Sequence, residues 1–372
     1  MKTSKDSPIR HVVGCMSGTS LDGLDLARVE LCGQGRELVA GTIQHAHVGL
    51  GDLQSRLREA TTESLTAAQW TRLALDLGIL HAKAIQEAWP DEPIDLVAAH
   101  GQTLHHAPPE SLQLLNPWPI AHALDCTVVC DLRGADLIAG GQGAPITPLA
   151  DLVLYRPLIG DTGLTILNLG GFANATVIAP PNLEAPDGFD CCPCNHLLDA
   201  AARTFLGKPY DEDGRVAESG TPDPGVAAEL AESISRLRTE RRSGGSGDEG
   251  IELALDTCRR MDGADIGDQL ATLAEAIARS VATAMPDSPP DRICLAGGGA
   301  RNNALRKALD RHLSGSIEEM KDALVPIDAR EAAGMAVLGC LAMDGSPITS
   351  PGITGRADSA AFDGVWINLP GS

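Results

Sequence analysis

Three glycine-rich turns, each preceded by a short apolar run, constrain the fold of this chain more than any other feature. They are GCMSGTSLDGLD at residues 14–25, LNLGGFANATV at 167–177 and ICLAGGGARNNALRKAL at 293–309. A buried strand that runs into a glycine turn lets the backbone approach an anion closely, and its N–H groups can cradle phosphate. Together the turns predict nucleotide binding, although each alone is compatible with an ordinary hairpin or strand-to-helix turn.

The spacing within the turns excludes two common nucleotide-binding motifs. The successive glycines 297–299 do not form the GxGxxG pattern of dinucleotide-binding folds, and no GK[ST] stands where a phosphate-binding P-loop requires it. Three glycines in a row instead indicate a flat surface that lies against a ligand such as adenosine.

Side chains and N–H groups of these turns are the predicted nucleotide contacts. Carboxylates of the first turn could hold Mg²⁺ directly or through water. An Asp-Gly pair is also a hairpin signal, so a plain loop remains the alternative there. The predicted ATP-binding residues are Gly14, Ser17, Gly18, Thr19, Ser20, Asp22, Gly23, Asp25, Asn168, Gly170, Gly171, Asn174, Gly297, Gly298, Gly299 and Asn302, and the predicted Mg²⁺ ligands are Asp22 and Asp25.

Apolar runs of strand length alternate with helical periodicity, which predicts an α/β fold. The strand–glycine–strand unit occurs twice, so we expect two similar lobes, 1–145 and 146–372, with ligands in a cleft between them. Residues 241–250, RRSGGSGDEG, have the composition of a flexible loop. The predicted strands are 11–16, 24–32, 38–48, 94–99, 127–130, 164–169, 173–179 and 292–296, and the predicted helices are 65–89, 196–206, 225–237, 268–284, 302–313 and 329–343.

Charge and cysteine content exclude several classes of protein. The formal net charge of −21 disfavours nonspecific nucleic-acid binding and docking on anionic membranes. The N-terminal residues lack the apolar stretch of a secretory signal, and no apolar run reaches membrane-spanning length. Ten scattered cysteines are then expected to be thiols in a reducing compartment. The sequence predicts a cytoplasmic protein that acts on small molecules.

The chain resembles the anhydro-N-acetylmuramic acid kinases, which are actin-like (ribonuclease H-like) sugar kinases, from about residue 12 to 345. Besides the first turn, the resemblance rests on AHGQT at 99–103, VVCDLRGAD at 128–136, AGGQGAP at 139–145 and GFD with its following Pro and Asn at 188–195. It implies two actin-like lobes, use of ATP and Mg²⁺, and often a homodimer. The implied reaction uses ATP and water to open the 1,6-anhydro ring and phosphorylate O6, yielding N-acetylmuramic acid 6-phosphate.

The resemblance also implies roles for particular residues. Asp190 matches the catalytic carboxylate, which would take a proton from the water that attacks C1; a turn or helix-entry role is the alternative. Arg133 would stabilise negative charge on the sugar carboxylate or the transferring phosphoryl group, unless it forms an ion pair with Asp131 or Asp136. Glu331 could instead cap its helix. The predicted sugar-side residues are His100, Gln102, Thr103, Asn116, Asp136, Asn195 and Glu331.

Two cysteines mark a departure from the family pattern. Cys192 and Cys194 stand where the family has glycine, and a glycine that supplies positive φ accepts cysteine only with strain. Cys191 and Cys194 also form a CxxC pair near His196, which leaves a metal or redox site as an alternative. Two other functions stay open: a kinase for another anhydrosugar or amino sugar, and a non-catalytic ATP-binding protein.

Overall fold

Two compact units, each built on its own β-sheet, make up the chain. One comprises residues 1–158 and 322–372, and the other comprises residues 159–321. The predicted lobes, 1–145 and 146–372, differ from this division because the C-terminal segment belongs to the first unit. The computed structural model describes residues 8–18, 21, 23–240, 248–261, 263–318, 325–357 and 363–368.

The first unit contains a six-stranded mixed sheet in the order β13-β7-β4-β1-β2-β3. Strands β1, β2 and β3 form an antiparallel meander, β4 and β7 run parallel to β1, and β13 joins β7 in the antiparallel sense. A separate hairpin is formed by β5 and β6. The strands are β1 Arg10–Ser17, β2 Gly23–Cys32, β3 Val39–Gly49, β4 Leu96–Ala99, β5 Gln102–Ala107, β6 Glu110–Leu114, β7 Thr127–Cys130 and β13 Val365–Ile367.

Two long helices cover much of this sheet. Helix α2 begins with a capping box in which Thr66 and Gln69 satisfy each other's backbone N–H groups. Helix α13 packs against β1, β2 and β4 and is apolar on almost every side, as expected of a buried helix. The helices of this part of the chain are α1 Leu53–Thr62, α2 Ala67–Ala88, α3 Trp118–Leu124, α4 Gly134–Ile138, α5 Pro148–Leu154, α6 Arg156–Ile159, α13 Arg330–Met343 and α14 Pro351–Thr354.

The second unit repeats the strand plan of the first. Its sheet order is β10-β9-β8-β11-β12, with an antiparallel meander of β8, β9 and β10 and with β11 and β12 parallel to β8. Both sheets therefore share a 3-2-1-4-5 order with the same strand directions, the plan predicted for an actin-like lobe. The strands are β8 Leu164–Leu169, β9 Phe172–Ile178, β10 Asp187–Pro193, β11 Arg292–Ala296 and β12 Ser316–Glu318.

Helix α11 forms the centre of the helical layer in the second unit. Its buried carboxylate, Glu275, accepts from Arg311 at 2.6 Å and contacts His312 at 2.5 Å, which ties α11 to α12. None of the helices within the described ranges is long and apolar enough to cross a membrane. The helices are α7 Asn195–Ala201, α8 Arg215–Ser219, α9 Pro224–Glu240, α10 Asp248–Arg260, α11 Ile266–Ala284 and α12 Asn303–His312.

The predicted α/β class and the two similar sheets are confirmed. The predicted loop at 241–250 is wrong for its last three residues, which form the first turn of α10; residues 241–247 lie outside the described part of the chain. Helix α10 was missed because its polar, glycine-containing start was assigned to the loop. Its buried face, Ala254, Leu255 and Cys258, has helical spacing that could have revealed it.

Candidate active site

A buried glutamine holds the base of the first glycine turn. Ser17 donates its hydroxyl to Gln102 Oε1 at 2.5 Å, while Gln102 Nε2 donates to the carbonyls of Gly18 at 3.2 Å and Thr103 at 3.3 Å. Both side chains are buried. These hydrogen bonds give Gln102 and Ser17 internal roles that set where the turn leaves β1. The sugar contact of Gln102 and the phosphate contact of the Ser17 hydroxyl stay predictions.

The described residues at the end of the turn have restricted backbone positions. Leu21 adopts a left-handed φ of +59°, uncommon for a side chain of this size, and its N–H donates to Gly18 O at 3.1 Å. At Gly23 a Cβ atom would lie 2.3 Å from the His47 ring and 2.9 Å from the Val48 carbonyl oxygen, so the close approach of β3 favours glycine where the turn enters β2. Three predicted phosphate contacts lie outside the described residues: Thr19, Ser20 and Asp22.

Gly14 has a packing role. A Cβ atom at this position would lie 1.8 Å from Ala332 O and 2.5 Å from Ala336 N, both backbone atoms of α13. The missing side chain thus allows the helix to approach β1 closely. Its contact with phosphate stays a prediction.

Asp25 lies near the start of β2, beside two histidines of β3. Its Oδ1 is 2.8 Å from His47 Nδ1 and 3.9 Å from His45 Nε2. The carboxylate is about a third exposed, so it remains accessible from solvent. An accessible carboxylate is the type of group that binds Mg²⁺, usually together with waters and substrate phosphates.

Arg133 is oriented by two acceptors within the first unit. Its Nε–H donates to His100 Nε2 at 2.9 Å, and its Nη1 donates to Gly143 O at 2.5 Å. Arg133 is only partly buried, so part of its side chain is exposed to solvent. His100 itself is buried and accepts a hydrogen bond from Arg133, and its sugar contact stays a prediction.

The Arg133 contact also determines the tautomer of His100. Because a guanidinium only donates, His100 Nε2 must accept, and the proton of the neutral ring is on Nδ1. Burial lowers the pKa of His100 to about 3, and the charge of Arg133 acts in the same direction. The imidazole is therefore neutral at physiological pH.

Asp136 is fully buried and uses its carboxylate inside the protein. Oδ1 accepts from the hydroxyls of Thr349 and Thr354, both at 2.6 Å, and Oδ2 accepts from the Gly143 N–H at 2.7 Å. These donors give Asp136 a structural role within the first unit, and its sugar contact stays a prediction. A sequence separation of more than 200 residues between Asp136 and the threonines left no local signal for this role.

Two other predicted sugar residues lie at helix starts. Asn116 Oδ1 accepts from the Trp118 N–H at 3.1 Å, a local turn at the beginning of α3. Glu331 is in the first turn of α13, beside Arg330, which donates to both oxygens of Asp151 at 3.0 and 2.5 Å. For Asn116 and Glu331 sugar binding stays a prediction.

In the second unit a polar row crosses three strands in register. Asp190 pairs with Asn174, and Asn174 pairs with Asn168. Residues paired across adjacent strands point to the same face, with Cβ atoms about 5 Å apart. A β-bulge follows between Asp190 and Cys192, and bulges often re-aim side chains next to active sites. The predicted catalytic carboxylate and two predicted phosphate residues thus share one row.

The second glycine turn is bonded to the segment that follows the row. The N–H groups of Cys194 and His196 donate to Gly171 O at 2.8 and 3.2 Å, and that of Asn195 donates to Gly170 O at 3.1 Å. Asn195 Nδ2 also donates to Leu169 O at 3.0 Å. The side chain of Asn195, predicted to bind sugar, therefore helps to fix the glycine turn in place.

The third turn offers an open, flat surface next to the row. Gly297 has a φ of +77°, and a Cβ atom there would lie 2.7 Å from Asn168 Oδ1. Gly298 is exposed, and a Cβ atom added to it would have no neighbour within 4 Å, while Gly299 packs against Leu169. Asn302 caps α12 by accepting from the Leu305 N–H at 3.0 Å. Its side-chain oxygen therefore has a structural hydrogen bond that does not depend on a nucleotide.

Cys192 and Cys194 fit without positive φ. Cys194 has a φ of −127°, and neither cysteine is among the described non-glycine residues in the left-handed region. Both side chains are buried, and burial raises the pKa of the Cys194 thiol to about 12. All ten cysteines lie in the described ranges, and none forms a disulfide. The strain expected from a positive φ at these cysteines is therefore absent.

The described residues contain no group of three or more His, Cys, Asp or Glu side chains arranged to hold a metal ion. This covers Cys191, Cys194 and His196, so the geometry gives the CxxC alternative no support.

Comparison with known proteins identifies the family. The family model for anhydro-N-acetylmuramic acid kinase matches residues 10–367. The chain belongs to this family. An anhydro-N-acetylmuramic acid kinase of Streptomyces coelicolor is 38% identical, with 95% of this chain and 93% of the relative covered. One from Salinibacter ruber is 36% identical, with 97% of each chain covered.

Membership of the anhydro-N-acetylmuramic acid kinase family confirms the resemblance read from the motifs. Residues of those motifs fall into two described groups, one around Arg133 in the first unit and one around Asp190 in the second. Sequence reasoning missed Thr349 and Thr354, and it also missed the turn at Asp131, whose left-handed φ of +51° precedes Arg133. Its Oδ1 accepts from the Gly134 N–H at 3.1 Å, a turn typical of aspartate.

Proposed function

We propose that this chain phosphorylates anhydro-N-acetylmuramic acid at O6 with ATP and, in the same reaction, adds water across the 1,6-anhydro bond. The products are N-acetylmuramic acid 6-phosphate and ADP, so the enzyme returns cell-wall sugar to metabolism. The match to the family model over residues 10–367 carries the proposal. The placement of Asp190 and Arg133 supports it.

Asp190 is the proposed general base. Its carboxylate takes a proton from the water whose oxygen forms the new bond to C1, while the C1–O6 bond breaks. O6 then bonds to the γ-phosphorus as the bond to the β-phosphate oxygen breaks and ADP leaves. The partial exposure of Asp190 and its position next to a bulge suit a base that must reach a substrate water.

Arg133 is the proposed anion-binding group. A guanidinium that two acceptors already orient loses little freedom when it binds a carboxylate or phosphoryl oxygen. Its charge would stabilise the sugar carboxylate or the transferring phosphoryl group. Because His100 is neutral, its imidazole adds no second positive charge beside the guanidinium of Arg133.

The nucleotide is proposed to lie along the second and third glycine turns. Gly298 leaves open space that a side chain would fill, which suits the flat face of adenosine. Asn174 and Gly170 are the proposed phosphate-side contacts. Mg²⁺ would neutralise charge on the phosphates when bound, and Asp25 is the described carboxylate proposed to hold it with Asp22.

The decisive experiment is ADP release by purified protein with Mg-ATP, with and without anhydro-N-acetylmuramic acid. We expect sugar-dependent release and a product whose mass corresponds to the sugar plus water plus one phosphoryl group. Levoglucosan and N-acetylglucosamine serve as comparison sugars. ADP release with one of these alone would support a kinase for another sugar. ATP binding without release under any sugar would contradict the proposal and favour a non-catalytic protein.

Two further properties belong to the proposal. We infer a cytoplasmic location because ATP is the phosphoryl donor and none of the ten cysteines is oxidised to a disulfide. A homodimer is expected from the family resemblance, and light scattering during size-exclusion chromatography would test it. A single species at the monomer mass of 38.7 kDa would contradict that expectation.

A further inference from the structure

We propose that Thr349 and Thr354, in the C-terminal segment, are positioning residues for Arg133 and act through the buried carboxylate of Asp136. The threonines, Asp136, Gly143 and Arg356 are called the Asp136 hub below. The inference rests on the proposed function only in that Arg133 binds a substrate anion.

The hub surrounds one carboxylate with donors from distant parts of the chain. Thr349 and Thr354 donate to Oδ1 at 2.6 Å each, and the Gly143 N–H donates to Oδ2 at 2.7 Å. Arg356 Nη1 donates to Thr349 Oγ1 at 2.6 Å and lies 3.7 Å from Asp136 Oδ1. Asp136 and Arg356 are both buried. Each hydroxyl that donates to the Asp136 carboxylate therefore replaces a hydrogen bond from water that the carboxylate lost on folding.

Backbone hydrogen bonds fix the same loop from the same segment. The Gln142 N–H donates to Thr354 O at 3.0 Å, and the Ala357 N–H donates to Ala139 O at 2.9 Å. The C-terminal segment thus holds the loop at residues 139–143 directly through two backbone hydrogen bonds and indirectly through the Asp136 carboxylate, which accepts from the Gly143 N–H. Glycines with left-handed φ at Gly140 and Gly143 let it turn sharply between these contacts.

Gly143 connects the hub to Arg133. Its N–H donates to Asp136, and its carbonyl accepts from Arg133 Nη1. Any shift of Asp136 that moves Gly143 also moves its carbonyl, which is an acceptor that orients the guanidinium. Since a misplacement of about 1 Å can cost about 100-fold in rate, a small shift here is enough to affect turnover.

The hydroxyl is the critical group of each threonine. Valine has the same shape but cannot donate, so Thr354→Val leaves part of a buried carboxylate without a donor. Thr354→Ser keeps the hydroxyl and loses only a methyl group. Thr349→Val would also remove the acceptor of Arg356, so Thr354 is the cleaner test.

The experiment compares Thr354→Val, Thr354→Ser and a control, Thr127→Val, which alters another buried threonine of the same unit. We expect Thr354→Val to lower kcat about tenfold with KM for ATP changed less than about twofold. Thr354→Ser should restore most of kcat, and the control should stay within about twofold of wild type. In an Arg133→Ala background Thr354→Val should have no further effect.

A second readout does not depend on turnover. The Arg133 Nε–H, assigned by its loss in Arg133→Lys, should exchange with water about tenfold faster in Thr354→Val than in Thr354→Ser or wild type. If wild-type protein shows no sugar-dependent ADP release, the proposed function fails while this exchange rate still tests the hub. Unchanged exchange in Thr354→Val, or an equal loss of kcat in the Arg133→Ala background, overturns the inference.

Discussion

Asp190 lies opposite Asn174 on the neighbouring strand, and Asn174 in turn lies opposite Asn168. This row connects the proposed base to residues next to both glycine turns of the second unit. A carboxylate held by a β-ladder has a fixed backbone position, which is what a base needs in order to meet its water reproducibly.

Asp190→Asn should remove the proposed general base without changing the pairing of Asp190, Asn174 and Asn168 across the three strands. We expect kcat to fall by about 10²–10⁴-fold, the usual contribution of a positioned general base. The affinity for ATP, measured by isothermal titration calorimetry, should change less than about twofold. Asp187→Asn, at an exposed position on the same strand, is the matched control and should retain activity. Retained turnover in Asp190→Asn would remove Asp190 as the base.

His100 should remain neutral and keep its proton on Nδ1 throughout the pH range of activity. Its pKa of about 3 predicts unchanged ¹⁵N chemical shifts of the ring between about pH 5.5 and 8. Arg133→Ala should raise that pKa, because it removes a nearby positive charge. A ring that titrates near its ordinary pKa of 6.5 in the wild-type protein would contradict the buried contact with Arg133.

Gly14→Ala and Gly298→Ala should have opposite consequences. The Gly14 substitution places a Cβ against backbone atoms of α13, so the free energy of unfolding should fall by about 2 kcal/mol or more. At Gly298 the space is open, and stability should change by less than about 0.5 kcal/mol. KM for ATP should rise only for the second variant. Urea unfolding and steady-state kinetics measure both effects, and equal destabilisation would refute the packing argument.

Cys194→Gly tests the departure from the family pattern. The cysteine is buried at negative φ, so glycine would leave a small void and a more flexible backbone. We expect a loss of about 1–2 kcal/mol in the free energy of unfolding. The kcat/KM for the sugar should change less than about threefold. A large gain in sugar affinity would show that the cysteine does impair the sugar site.

Acid should destabilise the protein through His81. Burial lowers its pKa to about 4 from 6.5, while the unfolded chain takes up this proton near pH 6.5. The free energy of unfolding should therefore fall as the pH drops below about 6.5, by about 2–3 kcal/mol from this residue at about pH 4.5. His81 Nε2 has no hydrogen-bond partner among the described residues, so His81→Leu should flatten the decline.

Urea unfolding at a series of pH values measures that decline. His122→Leu, at an exposed position in the same unit, is the control and should leave it as steep as in wild type. An equally steep decline in His81→Leu would show that other groups cause the acid sensitivity.

Sequence patterns predicted eight of the thirteen described strands, the long helices α2, α9, α11 and α13, and the three turns, because these depend on local periodicity and on glycine. They missed strands β5, β6, β10, β12 and β13 and helix α10. Asp190 and Arg133 were proposed from motifs, and the structure shows that both residues are partly exposed. The sequence could not reveal that Gly14 faces a helix more than 300 residues away, or that Asp136 is enclosed by Thr349 and Thr354. Such contacts depend on which distant segments pack together in the folded protein, and the local sequence pattern does not indicate them.

The return of the C-terminal segment to the first unit has a consequence for the order of events during synthesis. The second unit is continuous in sequence, so all of its strands are available once residue 318 has left the ribosome. The first sheet can pack against the apolar surface of α13 only after that helix has been synthesised, and the edge strand β13 of this sheet is synthesised later still. The middle of the chain can therefore complete its fold before the beginning does, and β1 to β4 need protection from aggregation in the interval.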